Sequence, residues 1–125
     1  CPFNCLFCKP MQEKMFGKKV RRRTASNVIN EIEQAMRDIK KADYVFVFAD
    51  DTLLFSKEWV ISFCNEIKNR NLKLKWACQA RVDDIDEELL KTIKAGGCRW
   101  LSIGVESGSH KILENIRCKS SVLTY

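Results

Sequence analysis

Apolar and polar positions alternate along this chain in two rhythms. Over "TASNVINEIEQAMRDIKK", Val28, Ile32, Ala35, Met36 and Ile39 recur at three- and four-residue steps among charged residues. That spacing predicts an amphipathic helix from Ala25 to Lys41, with Thr24 as its N-cap. The stretch "YVFVFADD" follows, a run of apolar and aromatic residues ending in two carboxylates. It predicts a strand buried on both faces, as in a parallel sheet.

The two rhythms then repeat. A helix is predicted from Lys57 to Asn69, a strand at "KLKWACQAR", and a helix from Asp86 to Ala95 that "AGG" stops as a C-cap. A further strand follows at "RWLSIGVES", and "SHKILENI" starts a short helix with Ser109 as its cap. Strands alternating with helices define the α/β class, with βαβ units and a parallel sheet that is either open or wound into a barrel. No low-complexity segment or linker interrupts residues 1–125, so they read as one domain, incomplete at both ends.

Polar residues gather where the predicted strands end. Asp50 and Asp51 follow the first strand, Gln79 and Arg81 the second, and Glu106, Ser107 and Gly108 the third. "CPFNCLFC" would occupy the loop after a strand preceding residue 1. In parallel α/β sheets and barrels, ligands bind at the carboxyl ends of strands, so all four loops are expected on one face.

Composition narrows the setting. The seven cysteines are an odd number and only three cluster, which argues against a secreted disulfide framework and for a reducing cytoplasm. No apolar run has membrane-spanning length, and no membrane partner is expected. The net charge of +6 is uneven: "KMFGKKVRRR" carries Lys14, Lys18, Lys19, Arg21, Arg22 and Arg23 without one acidic residue. With Phe16 as its one aromatic, this run reads as solvated surface ahead of a nucleic-acid contact. Cys64, Cys78 and Cys98 lie at apolar positions, where free cysteine is usually a small buried hydrophobe. Trp59, Trp76 and Trp100 read as packing residues.

Cys1, Cys5 and Cys8 carry the chemistry. Thiolates two and three residues apart on a loop can wrap around a metal or an iron-sulfur cluster. Three ligands leave one coordination position open, which distinguishes a working site from a closed structural one. A structural zinc site would need a fourth ligand from His110, an aspartate or a distant cysteine. In a 4Fe-4S cluster, three cysteines would hold three irons and leave the fourth for a small molecule with nitrogen and oxygen donors.

"CPFNCLFC" resembles the cluster motif of the radical S-adenosylmethionine (radical SAM) superfamily, with Phe7 as the aromatic before the last cysteine. The stretches "RRRTASNVINEIE", "FADDTLLF" and "WACQARVDDIDEELLKTIKAGGCRWLSIGVESGSHKILENI" are similar to the branch often found with an N-terminal cobalamin-binding domain. That branch includes methyltransferases and cyclases and is allied to methylthiotransferases. The resemblance implies a partial parallel (β/α) barrel of the radical SAM type, truncated at both ends.

By this resemblance, Cys1, Cys5 and Cys8 ligate the 4Fe-4S cluster, S-adenosylmethionine chelates its open iron, and the backbone around Phe7 contacts adenine. Much of the superfamily holds the methionyl ammonium with a "GGE"-like stretch; here "ADDT" makes Asp50 and Asp51 the candidates, their alternative being strand-end caps. Gln79 and Arg81 align with positions that bind ribose or the methionyl carboxylate. Arg81 suits the carboxylate, since a guanidinium matches it bidentately; its alternative is a salt bridge to Asp83 or Asp84. Glu106 and Ser107 align with ribose contacts, with Gly104 and Gly108 permitting close backbone approach. Arg117 and Lys119 are candidates for the carboxylate.

The implied activity is reductive cleavage of S-adenosylmethionine to a 5′-deoxyadenosyl radical, in the service of methyl or methylthio transfer. It needs an electron donor such as flavodoxin or ferredoxin, and any cobalamin would be held by a domain outside this chain. The competing class is a zinc- or cluster-stabilised module that contacts RNA through its basic run.

Overall fold

A computed structural model describes residues 1, 3, 5–8, 14, 15, 17, 19–39 and 43–116. The readings made for Lys18, Phe16, the helix extension to Lys41, Arg117 and Lys119 lie outside them. The chain divides into two compact units, one of Arg22–Ile103 and one of Cys1–Arg21 with Gly104–Tyr125.

In the larger unit, α1 (Ala25–Asp38) starts at Thr24, whose side chain accepts a hydrogen bond from the Asn27 N–H at 3.2 Å. That satisfies one of the N–H groups a helix start leaves without a partner. The buried stripe runs through Ala25, Ile29 and Ile32, with Val28 and Met36 packed partly against it. It is therefore centred on Ile29, rotated from the predicted face. Ile39 is exposed, because there the backbone leaves the helix in an extended conformation.

Three strands form a sheet in the order β1-β2-β3: β1 (Phe46–Val47), β2 (Trp76–Arg81) and β3 (Cys98–Gly104). β1 runs parallel to β2, with Phe46 opposite Trp76 and Val47 opposite Ala77. The crossovers are α2 (Lys57–Asn69) and α3 (Glu87–Ala95), so the predicted βαβ alternation holds. Asp86 caps α3 by accepting from the Leu89 N–H at 2.7 Å.

Helices cover one face of the sheet. Trp76, Cys78 and Ala80 point into the core beside Phe63 and Leu89, whereas Gln79 is exposed. Phe63 meets Trp76 edge-on with ring centroids 5.5 Å apart, Phe48 meets both edge-on, and Trp59 stacks on Phe63. Such edge-to-face pairs suit the ring quadrupoles and add to area burial. At the helix ends, the Arg70 guanidinium reaches Ser26, Asn30 and Glu33 of α1 as well as Glu66 of α2.

Two predictions need correcting. The run "YVFVF" is not buried on both faces: β1 is two residues long, and Val47 is 72% exposed while Phe46 and Phe48 pack inward. The cause is one-sided helix cover, under which alternate strand positions go in and out. Trp100 is 59% exposed on the terminal strand of the sheet order and is not a core residue, although its neighbours Cys98 and Leu101 pack partly against the core.

In the smaller unit, α4 (His110–Ile116) follows Ser109, whose carbonyl accepts from the Leu113 N–H at 3.0 Å. The Leu6 N–H donates to the Ile116 carbonyl at 3.2 Å, joining the cysteine segment to the end of this helix.

Candidate functional site

In the larger unit the predicted residues lie where β1 and β2 end. Asp50 and Asp51 are exposed. The chain then turns inward: Thr52 is buried, Leu53 and Leu54 enter the core, and the Leu53 N–H donates to the Gln79 carbonyl at 3.2 Å. The Thr52 hydroxyl donates to an Asp84 carboxylate oxygen at 2.9 Å. Burial pushes the Asp84 carboxyl above its ordinary value, against the opposing pull of the Thr52 bond and the Arg81 charge.

Gln79 presents its amide on the open side of β2. Arg81 is different. Its Nη2 donates to Asp83 Oδ2 at 2.6 Å, with 16% of the arginine and 7% of the aspartate side chain exposed. The salt bridge weighed as an alternative for Arg81 is therefore present, and its partner is Asp83.

In the smaller unit, Leu6, Phe7 and Cys8 form a turn in which the Cys8 N–H donates to the Cys5 carbonyl at 3.1 Å. Cys1 is exposed, and Cys5 and Cys8 are half-buried. Phe7 is exposed. Among the described residues no three Cys, His, Asp or Glu side chains are gathered into a metal-binding group. The donor set nonetheless fits an iron-sulfur cluster with one open iron: three soft thiol donors on a turning segment.

Glu106 adopts a left-handed conformation with φ of 65°. This is unusual for a residue with a Cβ and is concentrated at functional positions. Its carboxylate folds over Gly104, where an added Cβ would lie 2.7 Å from Glu106 Oε1. At Gly108 an added Cβ would meet nothing within 4 Å among the described residues. The Ser107 hydroxyl accepts from the Ser109 N–H at 3.1 Å, and the Ser107 N–H donates to the Val105 carbonyl at 2.8 Å.

The basic run is partly engaged by the chain itself. The Arg22 guanidinium lies over the Phe55 ring at 4.2 Å and near the Trp59 ring at 5.6 Å, Arg23 pairs with Glu31, and the Trp59 indole N–H donates to the Arg23 carbonyl at 2.8 Å. Such contacts suit a surface fixed to its own fold. Cys64 and Cys78 are buried as predicted, with Cys98 at the core margin. Burial pushes the Cys64 thiol up to about 11. A hydrogen bond between the Cys78 and Cys98 side chains raises Cys78 and lowers Cys98.

Sequence reasoning missed Thr52, and it left Asp83 and Asp84 as interchangeable partners. The available signal was a threonine between two carboxylates and an apolar pair, and an acidic pair directly after a strand.

A fold of βα units, strand ends rich in polar residues and a three-thiol loop define a class of cofactor-using α/β enzymes. Residues 1–122 match the family described as the Radical SAM superfamily, and the chain belongs to it. It is 35% identical over 121 residues to an uncharacterized methyltransferase of Pyrococcus horikoshii, covering 93% of this chain and 24% of that protein. It is 30% identical over 125 residues to the anaerobic magnesium-protoporphyrin IX monomethyl ester cyclase of Rubrivivax gelatinosus, covering 98% and 21%. To a protein of Methanocaldococcus jannaschii that carries the name methylthiotransferase it is 31% identical over 125 residues, covering 94% and 27%. The chain thus spans about a quarter of the length of these relatives. Membership in this family of enzymes implies S-adenosylmethionine and an iron-sulfur cluster as cofactors. Among the described residues no helix is long and apolar enough to cross a membrane.

Proposed function

We propose that this chain is part of the core of a radical SAM enzyme in which Cys1, Cys5 and Cys8 hold a 4Fe-4S cluster. The observation that carries the reading is the C-x-x-x-C-x-x-C spacing at the head of a segment matched to the family over residues 1–122. When bound, the cluster supplies the electron that cleaves S-adenosylmethionine to methionine and a 5′-deoxyadenosyl radical.

The chain's own residues bind and orient the cosubstrate. The backbone at Phe7 contacts adenine, Asp50 and Asp51 hold the methionyl ammonium, and Arg81 meets the methionyl carboxylate. Gln79, Glu106 and Ser107 serve the ribose hydroxyls. The exposure of Asp50, Asp51 and Gln79 supports these roles, because each presents polar atoms at a strand end without disturbing the core. Acceptors facing an ammonium and a guanidinium facing a carboxylate are the charge-assisted pairings that bind most strongly.

Methyl or methylthio transfer is the reaction class we favour, on the names carried by two of the relatives. The whole protein would work in the cytoplasm with an electron donor such as flavodoxin or ferredoxin, and any cobalamin would be held by a domain outside these residues.

The test is anaerobic reconstitution of the full-length protein with iron and sulfide. Low-temperature EPR after dithionite should show a reduced-cluster signal that changes on adding S-adenosylmethionine and is lost in Cys5→Ala. A colourless protein that retains zinc would overturn the reading in favour of the zinc-stabilised module.

A further inference from the structure

Arg81 and Asp83 are paired at 2.6 Å with little of either side chain in contact with water. An exposed ion pair on flexible side chains is worth little and is easily rearranged. A largely buried pair is held in one arrangement, because separating the partners leaves a desolvated charge.

The turn carrying Asp83 is itself anchored. It is a single 3-10 turn, Val82–Asp84, directly after β2. The bond from Thr52 to Asp84 ties this turn to the segment after β1, and the bond from the Leu53 N–H to the Gln79 carbonyl ties the same segment to β2. Thr52 is the one buried polar residue among those described. A buried hydroxyl must find a partner, and here the partner is the residue next to Asp83.

From this arrangement we infer that Asp83 is a positioning residue, which fixes the plane of the Arg81 guanidinium at the end of β2 for the methionyl carboxylate of S-adenosylmethionine. The inference rests on the role proposed above for Arg81 and adds that this role depends on Asp83. A guanidinium recognises a carboxylate through a planar fork, so its orientation decides the strength of the contact. A carboxylate two residues away, in a turn braced by Thr52 and Asp84, sets that orientation before the ligand arrives.

The experiment uses the reconstituted full-length protein and reads the S-adenosylmethionine concentration that half-saturates the change in the EPR signal. Wild type, Asp83→Asn, Asp83→Glu, Arg81→Gln and the double variant Arg81→Gln/Asp83→Asn are compared. Asp83→Asn should raise the half-saturating concentration by about tenfold or more, with the signal before addition unchanged. Asp83→Glu should recover part of the loss, and the double variant should bind no more weakly than Arg81→Gln alone, as for residues acting through one contact. Wild-type affinity in Asp83→Asn, or losses that add in the double variant, would overturn the inference while the functional reading stands. A wild-type signal indifferent to S-adenosylmethionine would overturn both. If Asp83→Asn loads no cluster, Asp83→Glu decides: wild-type affinity there argues against a set orientation, and weakened affinity with an intact starting signal supports it.

Discussion

The indole N–H of Trp76 donates to the carbonyl oxygen of Gly96 at 2.8 Å inside the core, and the backbone N–H of the same residue donates to the Gly97 carbonyl at 3.2 Å. One tryptophan therefore binds the end of α3 with its ring and the start of β3 with its main chain. The glycine pair in "AGG" both ends a helix and delivers the next strand to the sheet.

Replacing Trp76 by phenylalanine keeps much of the apolar volume and strands the Gly96 carbonyl. Trp76→Phe should destabilise the fold by about 1–3 kcal/mol, read as a lower urea midpoint. Trp100→Phe, on an exposed ring, should stay within about 0.5 kcal/mol of wild type.

Gly97 has φ of +91°, and an added Cβ would sit 2.0 Å from the Leu74 carbonyl oxygen. Gly97→Ala should cost more than about 2 kcal/mol, since backbone strain and overlap with a main-chain atom combine. Gly17 also has positive φ, +73°, but an added Cβ there meets nothing within 4 Å among the described residues, so Gly17→Ala should cost only the strain, about 1 kcal/mol. Thermal unfolding of the two variants separates the contributions.

Thiol reactivity should follow exposure and ionisation. Thiolates react and buried thiols do not. In the cluster-free protein at pH 8, iodoacetamide should label Cys1 fastest, Cys5 and Cys8 next, and the buried Cys64 and Cys78, both with their thiols pushed up, last. Peptide mass spectrometry over time checks this order; early labelling of Cys64 would mean that the core opens readily.

Asp84 gives a pH dependence whose direction is set by burial. Its folded-state pKa lies above the ordinary 3.8, so folding favours its protonated form. The resulting stabilisation is complete below 3.8 and is lost as pH rises through the folded value. The stability difference between Asp84→Asn and wild type should therefore shift in the variant's favour as pH rises across that window. Thermal melts over a pH series test it; a shift the other way would mean that the bond from Thr52 outweighs desolvation.

What could be read from the chain alone was local. Thr24 caps its helix through the N–H three residues ahead, so a short sequence window contains both partners. The cysteine spacing carries its chemistry for the same reason: ligands on one loop need no distant element to define them. The polar strand ends could be named from the βα alternation, because helices and strands have different apolar periods.

Which surfaces are covered, and which of several equivalent partners is chosen, was settled only in three dimensions. "YVFVF" has the same residues whether one face or two are covered, and one-sided helix cover leaves Val47 outside. Asp83 and Asp84 are chemically alike and adjacent; Arg81 pairs with Asp83, while Thr52, 32 residues upstream of Asp84, is brought to Asp84 by the pairing of β1 with β2. Burial and long-range hydrogen bonds depend on which segments meet, and local sequence patterns do not encode that meeting.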